Sequence, residues 1–134
     1  MHIIRDNYHI SDDPDDVDIA SLKHMLSASY WAAARSIDVK KKTIENSICF
    51  SVHTGNEQVA FARVVTDYAT FGYIADVIVV GDHKGNGIGK WLLDIVVNDV
   101  RLKGKLLMLA TDDAHTLYEK YGFQRNDKLM STLI

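Results

Sequence analysis

One cysteine and one proline occur in 134 residues, and each scarcity removes a class of explanation. A lone Cys49 cannot close an internal disulfide, and no Cys/His cluster has the spacing of a zinc site. Cys49 lies in the alternating run "SICFSV", which suits a buried structural thiol better than a nucleophile. With so little proline and no low-complexity tract, the chain shows no linker and no internal repeat. Long apolar runs are missing too, since none approaches the roughly 20 residues that span a bilayer. The opening "MHIIRDNYHISDD" turns acidic where a signal peptide would be apolar. A strong charge of either sign is also absent. The formal net charge of -3 gives no global attraction to nucleic acid or anionic membrane. The expectation is a soluble cytoplasmic protein, one domain over residues 1–134, with neither a membrane nor a nucleic-acid partner.

What is present is an ordinary globular composition, 47% hydrophobic, enough to build a core without staples. "HIIRDNYHIS" alternates weakly and predicts one edge strand. "DDPDDVDIASLKHMLSAS" predicts a helix capped by Asp12 or Asp13, with Pro14 in its first turn and Asp15, Asp16 and Asp18 at its positive end. No other ligand types join those aspartates, so helix electrostatics explains them better than a metal. A second short helix is expected in "DVKKKTIEN". Strands "SICFSVHT" and "EQVAFARVVTD" follow, joined by Gly55-Asn56, a tight-turn dipeptide. "FGYIADVIVV" makes a third strand. "KLLMLAT", the helix "DDAHTLYEKY" ending at Gly122, and two closing strands in "FQRND…KLMSTLI" complete the order β-α-α-β-β-β-α-β-α-β-β. The strand-helix-strand unit from Tyr73 to Ala110 should be parallel and right-handed.

The stretch "VIVVGDHKGNGIGKWLLDIV", Val77 to Val96, carries the strongest chemical signal. Gly85, Gly87 and Gly89 follow a strand and open an amphipathic helix reaching about Leu102. Such a turn lets backbone N–H groups converge on a phosphate. A Walker loop fails, because Lys84 stands where its first glycine belongs and Trp91 where Ser or Thr belongs. The dinucleotide fingerprint fails at Lys90, which would have to be glycine.

"KGNGIG" resembles the R/Q-x-x-G-x-G/A pattern of the GNAT acetyltransferase superfamily, with Lys84 in the slot usually held by Arg or Gln. Downstream, "AHTLYEKYGF", Ala114 to Phe123, resembles that family's A-x-x-x-Y-x-x-x-G-F signature. The resemblance implies an α+β fold layered α/β/α: a mixed, mostly antiparallel sheet with a central, splayed parallel strand pair and flanking helices. It implies acetyl-CoA as co-substrate and no metal. The diphosphate would lie on Lys84, Gly85, Asn86, Gly87, Ile88, Gly89 and Lys90. Pantetheine would lie along Val77, Ile78, Val79 and Val80, with a bulge near Asp76 opening the wedge. Thr111 occupies a slot often held by Asn, and either contacts pantetheine or leaves helix capping as the role of this segment.

The implied chemistry is acetyl transfer to a primary amine of a small molecule or peptide. The family's tyrosine carries over to Tyr118 as proton donor to the leaving thiolate, against a packing role. A carboxylate at Asp76 within "YIADVIVV" is either a base or the ion-pair partner of Arg63. Tyr30, Trp31 and Arg35 in "SYWAAAR", with Arg63 and Asp67, are candidates for the acceptor pocket, set against packing of an aromatic corner. The acidic balance mildly favours a cationic acceptor. A non-catalytic acyl-CoA-binding module on the same fold is the rival reading, and a closing-strand homodimer is one outcome at the sheet edge.

Overall fold

The computed structural model describes residues 1–27, 29 and 32–132. The N-terminal segment forms a hairpin rather than one strand. Strand β1 (His2–Arg5) pairs antiparallel with β2 (Tyr8–Ser11), with Arg5 opposite Tyr8. The reversal falls at Asp6, whose φ of 52° is a left-handed conformation that Asp tolerates better than most side chains. Without a glycine there, the alternation reads as continuous.

The aspartate-rich segment also divides. Pro14–Asp16 form one turn of 3-10 helix, with the Asp13 carboxylate accepting from the Asp15 N–H at 2.9 Å. Val17 is extended, so helix α1 (Ile19–Ser27) starts afresh, its first turn capped by Asp18 accepting from Ser21 N–H at 3.0 Å. Helix α2 (Ile37–Glu45) begins at Ser36, whose hydroxyl accepts from Val39 N–H at 3.2 Å.

Strands β3 (Ile48–Thr54), β4 (Glu57–Thr66) and β5 (Phe71–Val79) form the antiparallel meander, turning at Gly55 with φ 57°. Helix α3 (Ile88–Val97) and strand β6 (Leu106–Met108) follow, and β6 pairs parallel with β5. The six strands lie in sequence order, with every other pairing antiparallel. Helix α3 is shorter than its periodicity suggested, because the Asn98 side chain donates to Asp94 O at 2.8 Å and closes the helix. Leu102 is nevertheless buried. Helix α4 (His115–Glu119) is the last regular element among the described residues. The closing strands do not form there. "QRNDK" has no alternating apolar face, and Asn126 instead holds a turn by accepting from Lys128 N–H at 2.9 Å.

Alternation along β3 and β4 divides the core into two layers. Phe50, Ala60, Ala62 and Val64 face Ile88, Leu92 and Val96 of α3 on one side. Cys49 and Phe61 face Leu22, Leu26 and Ile44 of α1 and α2 on the other. The layered α+β expectation therefore holds. Among the described residues, no helix is long and apolar enough to cross a membrane.

Cys49 is buried, and that burial pushes its thiol from 9.0 up to about 12. A raised folded-state value means stability that is full below pH 9 and declines as pH rises from 9 toward 12. We predict that Ellman's reagent leaves the native thiol unlabelled at pH 8 and labels it fully in denaturant. Between pH 9 and 12, stability should fall less steeply in Cys49→Ala than in wild type.

Candidate functional site

Strand β5 has a partner on one edge along most of its length and on the other only at its start. Phe71, Gly72 and Tyr73 pair with Leu106, Leu107 and Met108. There β6 ends, while β5 runs on to Val79. The parallel pair thus opens into a wedge whose β5 side carries Val77, Ile78, Val79 and Val80, all half-buried. Gly72 sets the tight end of the wedge, because a Cβ there would lie 3.1 Å from side-chain atoms of both Leu107 and Val64.

A bulge stands where the wedge begins. Arg63 pairs with Ala75 and Phe61 with Ile78, so Asp76 and Val77 together oppose Ala62. Asp76 has φ 53°, a strained value that a carboxylate side chain tolerates. Its side chain is buried, and Oδ2 accepts from Arg35 Nη1 at 2.6 Å and from Arg63 Nε at 2.9 Å. Arg63 also donates from Nη1 to Ser47 Oγ at 3.1 Å. Lys40 closes the group from beneath: wholly buried, it donates from Nζ to Arg35 O at 2.6 Å. Burial lowers the Lys40 pKa, and the charges of Arg35 and Lys23 lower it further. Neither Lys40 nor Ser47 has any local sequence signal for this role. Tyr30 and Trp31 lie outside the described residues.

Asp67, a candidate for the acceptor pocket, is engaged within its own turn. It belongs to the turn between β4 and β5, at the opposite end of β5 from the glycine run. Its carboxylate accepts from the N–H groups of Ala69, Thr70 and Phe71 and from the Thr70 hydroxyl, which hold its pKa well below the usual range. That oxygen pair is used by its own turn, beside the paired end of β5 and β6 rather than the glycine run.

At the other end of β5, the chain passes through a 3-10 turn, Gly81–His83, into the glycine run. Gly85 and Gly87 have φ 88° and 76°, and Gly87 caps α3 with no side-chain hydrogen bond. The first N–H groups of a helix lack internal partners, so this uncapped start presents donors and the positive end of a helix dipole to an anion. Lys84 and Lys90 are exposed beside it. Gly89 serves a different purpose: its missing Cβ would face Val79 Cγ2 at 3.6 Å, an ordinary packing contact. Two phenols tie the run to its surroundings. Tyr8 Oη is 2.9 Å from His83 Nδ1, and Tyr121 donates to Lys90 O at 2.9 Å.

Helix α4 forms the far wall. A groove of about 880 Å³ runs between β6 and the segment after α4, lined by Leu107, Leu109, Thr111, Tyr118 and Phe123 among others. The Tyr118 and Phe123 rings meet edge to face, 5.9 Å between centroids. Thr111 Oγ1 accepts from Ala114 N–H at 3.0 Å in a turn just ahead of α4, whose start has no side-chain cap. A hydroxyl that accepts still has a proton to donate.

A parallel strand pair splayed beside an uncapped, glycine-started helix defines an α+β protein with an open strand edge leading to a helix start that suits an anion. Comparison with known proteins narrows that class. Residues 45–125 match the acetyltransferase (GNAT) domain, and the chain belongs to that family. A Xanthomonas campestris protein assigned to the same family is 38% identical, with TM-score 0.91 over 98% of this chain and 96% of that one. A Gibberella zeae protein described as an acetyltransferase is 29% identical over 90% of this chain and 81% of its own length. A Clostridium acetobutylicum protein solved with acetyl-CoA shares the fold at TM-score 0.71 and 21% identity, over 95% of each chain.

Removing the Asp76 charge strands two guanidinium groups. Asp76→Asn should lower unfolding free energy in urea by about 3 kcal/mol. Asp76→Ala should cost about 1 kcal/mol more, since Ala tolerates left-handed backbone worse than Asn does. The glycines separate in the same assay. Gly87→Ala should lose about 1–2 kcal/mol to left-handed strain, whereas Gly89→Ala should be neutral or gain about 0.5 kcal/mol from helix propensity.

Proposed function

We propose that this GNAT member is an acetyl-CoA-dependent N-acetyltransferase, acting on a primary amine of a small molecule or peptide. The observation that carries the reading is the uncapped, glycine-started α3 at the mouth of the β5–β6 wedge. When bound, acetyl-CoA supplies an acetyl thioester. The residues present fit it. The backbone from Gly85 to Lys90, with Lys84, receives the diphosphate, and the open β5 edge from Val77 to Val80 receives the amide-bearing pantetheine arm. Thr111, across the wedge, has a hydroxyl proton to offer the same arm.

In the reaction the amine nitrogen attacks the thioester carbonyl carbon, the new C–N bond forms, and the C–S bond breaks. Tyr118 gives its phenolic proton to the departing sulfur and regains one from solvent. A phenol with a reference pKa of about 10 stays protonated at neutral pH, ready to donate, and the transfer to a thiolate whose thiol has a pKa of about 8.5 is uphill by only roughly 2 kcal/mol. The proton released by the amine passes to water. Asp76 is assigned a positioning role, because its Oδ2 is already the shared acceptor of the Arg35 and Arg63 guanidinium groups. Through Arg35 and Arg63 it shapes the acceptor end of the wedge.

A mass-spectrometric screen of an amine panel with acetyl-CoA should yield an acetylated amine. Tyr118→Phe should lower kcat by about 100-fold while leaving acetyl-CoA affinity within about twofold. No transfer to any amine by a protein that still binds CoA would establish the binding-module reading instead. An unchanged kcat in Tyr118→Phe would remove the phenol as donor.

A further inference from the structure

We infer that Arg5, at the tip of the β1–β2 hairpin, is a ligand for the coenzyme diphosphate, so that the hairpin completes the cradle from a distant part of the chain. The inference rests on the acetyl-CoA reading above. Arg5 is the last residue of β1, and its guanidinium reaches the start of α3. A Cβ added to Gly87 would lie 3.6 Å from Arg5 Nη2. The guanidinium carbon stands 5.6 Å from the ring centroid of Trp91, in the first turn of the same helix. Tyr8, which faces Arg5 across the hairpin, bonds His83 just ahead of the glycines and so fixes the hairpin tip against the run.

The charge balance at this point is unfavourable without a ligand. Arg5 is exposed and, among the described residues, makes no salt bridge; neither Asp6 beside it nor Asp82 in the preceding turn pairs with it. It shares the positive end of the α3 dipole with Lys84 and Lys90, and cations are disfavoured there. A cation–π contact supplies position but no counter-charge. A diphosphate would neutralise all three cations together. Chemistry also favours it, because Lys84 and Lys90 are point charges and lysine has no planar fork for a phosphate. Arg5 supplies one from outside the motif.

Calorimetric titration with CoA tests this directly. Arg5→Ala should raise Kd about tenfold, or about 1.4 kcal/mol, with Arg5→Lys falling between the two. The unliganded melting temperature should be unchanged, because the side chain is exposed. The same Arg5→Ala ratio should be found with dephospho-CoA, which lacks the 3′-phosphate. Equal affinities in wild type and Arg5→Ala would overturn the inference. A ratio that vanishes with dephospho-CoA would overturn the diphosphate assignment by placing Arg5 on the 3′-phosphate. A wild-type protein that binds neither compound would overturn the acetyl-CoA reading itself, and this inference with it.

Discussion

Two guanidinium groups share one carboxylate oxygen at the bulge of β5, and the open shape of the sheet depends on that joint. A regular β5 would continue its pairing with both neighbours and leave no wedge. The extra residue at Asp76 breaks the regular pleat, and its left-handed backbone carries a strain of roughly 1–2 kcal/mol. Ion pairs to Arg35 and Arg63, with N···O distances of 2.6 and 2.9 Å, offset that strain. Arg35 also brings the connection between α1 and α2 against the bulge. Lys40 then holds the Arg35 carbonyl from below. The feature that opens the sheet therefore also fastens the α1–α2 connection beside it.

The opposite end of β5 is organised by a deficit of hydrogen bonds. Helix α3 begins at Gly87 without a capping side chain, whereas α2 begins under the Ser36 hydroxyl. A capped start would have stabilised the helix by about 1 kcal/mol. Leaving it uncapped keeps the N–H donors available and keeps the dipole exposed. Lys84, Lys90 and Arg5 gather around that end in a chain whose net charge is -3. Overall charge thus gave no indication of a local site that is strongly cationic.

Legibility in the sequence follows the range of the interactions. The glycine run could be read because its chemistry lies within six consecutive residues and follows an apolar strand. The hairpin turn at Gly55-Asn56 and the α4 stop at Gly122 were local in the same way. The Asp6 reversal was hidden, because a left-handed aspartate leaves no mark on the alternation around it. The end of α3 was hidden because Asn98 closes a helix whose periodicity continues to Leu102. Closing strands were expected in "FQRND…KLMSTLI", but the polar run within it forms a turn around Asn126, and residues 133–134 lie outside the described residues. Asp76 stood out as a costly buried carboxylate with Arg63 as a candidate partner. Its second partner, Arg35, lies 41 residues away and could be placed only by the fold.

The cradle is held by its neighbours more than by its own hydrogen bonds. Glycines that allow the close approach of a diphosphate also leave the loop with little side chain to pack, so stiffness has to come from elsewhere. Tyr8 fixes the turn before the glycines through His83, and Tyr121 fixes the first turn of α3 through the Lys90 carbonyl. One phenol belongs to the N-terminal hairpin and the other to the segment after α4. Burial and the nearby Asp94 carboxylate both raise the Tyr121 pKa, which keeps that phenol a donor at neutral pH. Tyr118 lies three residues earlier on α4, so the hydrogen bond that steadies the start of α3 also steadies the helix carrying the proposed proton donor. In the proposed reaction, cofactor hold and donor position are in this way mechanically joined, while Asp76 and its two arginines form a separate joint at the bulge of β5.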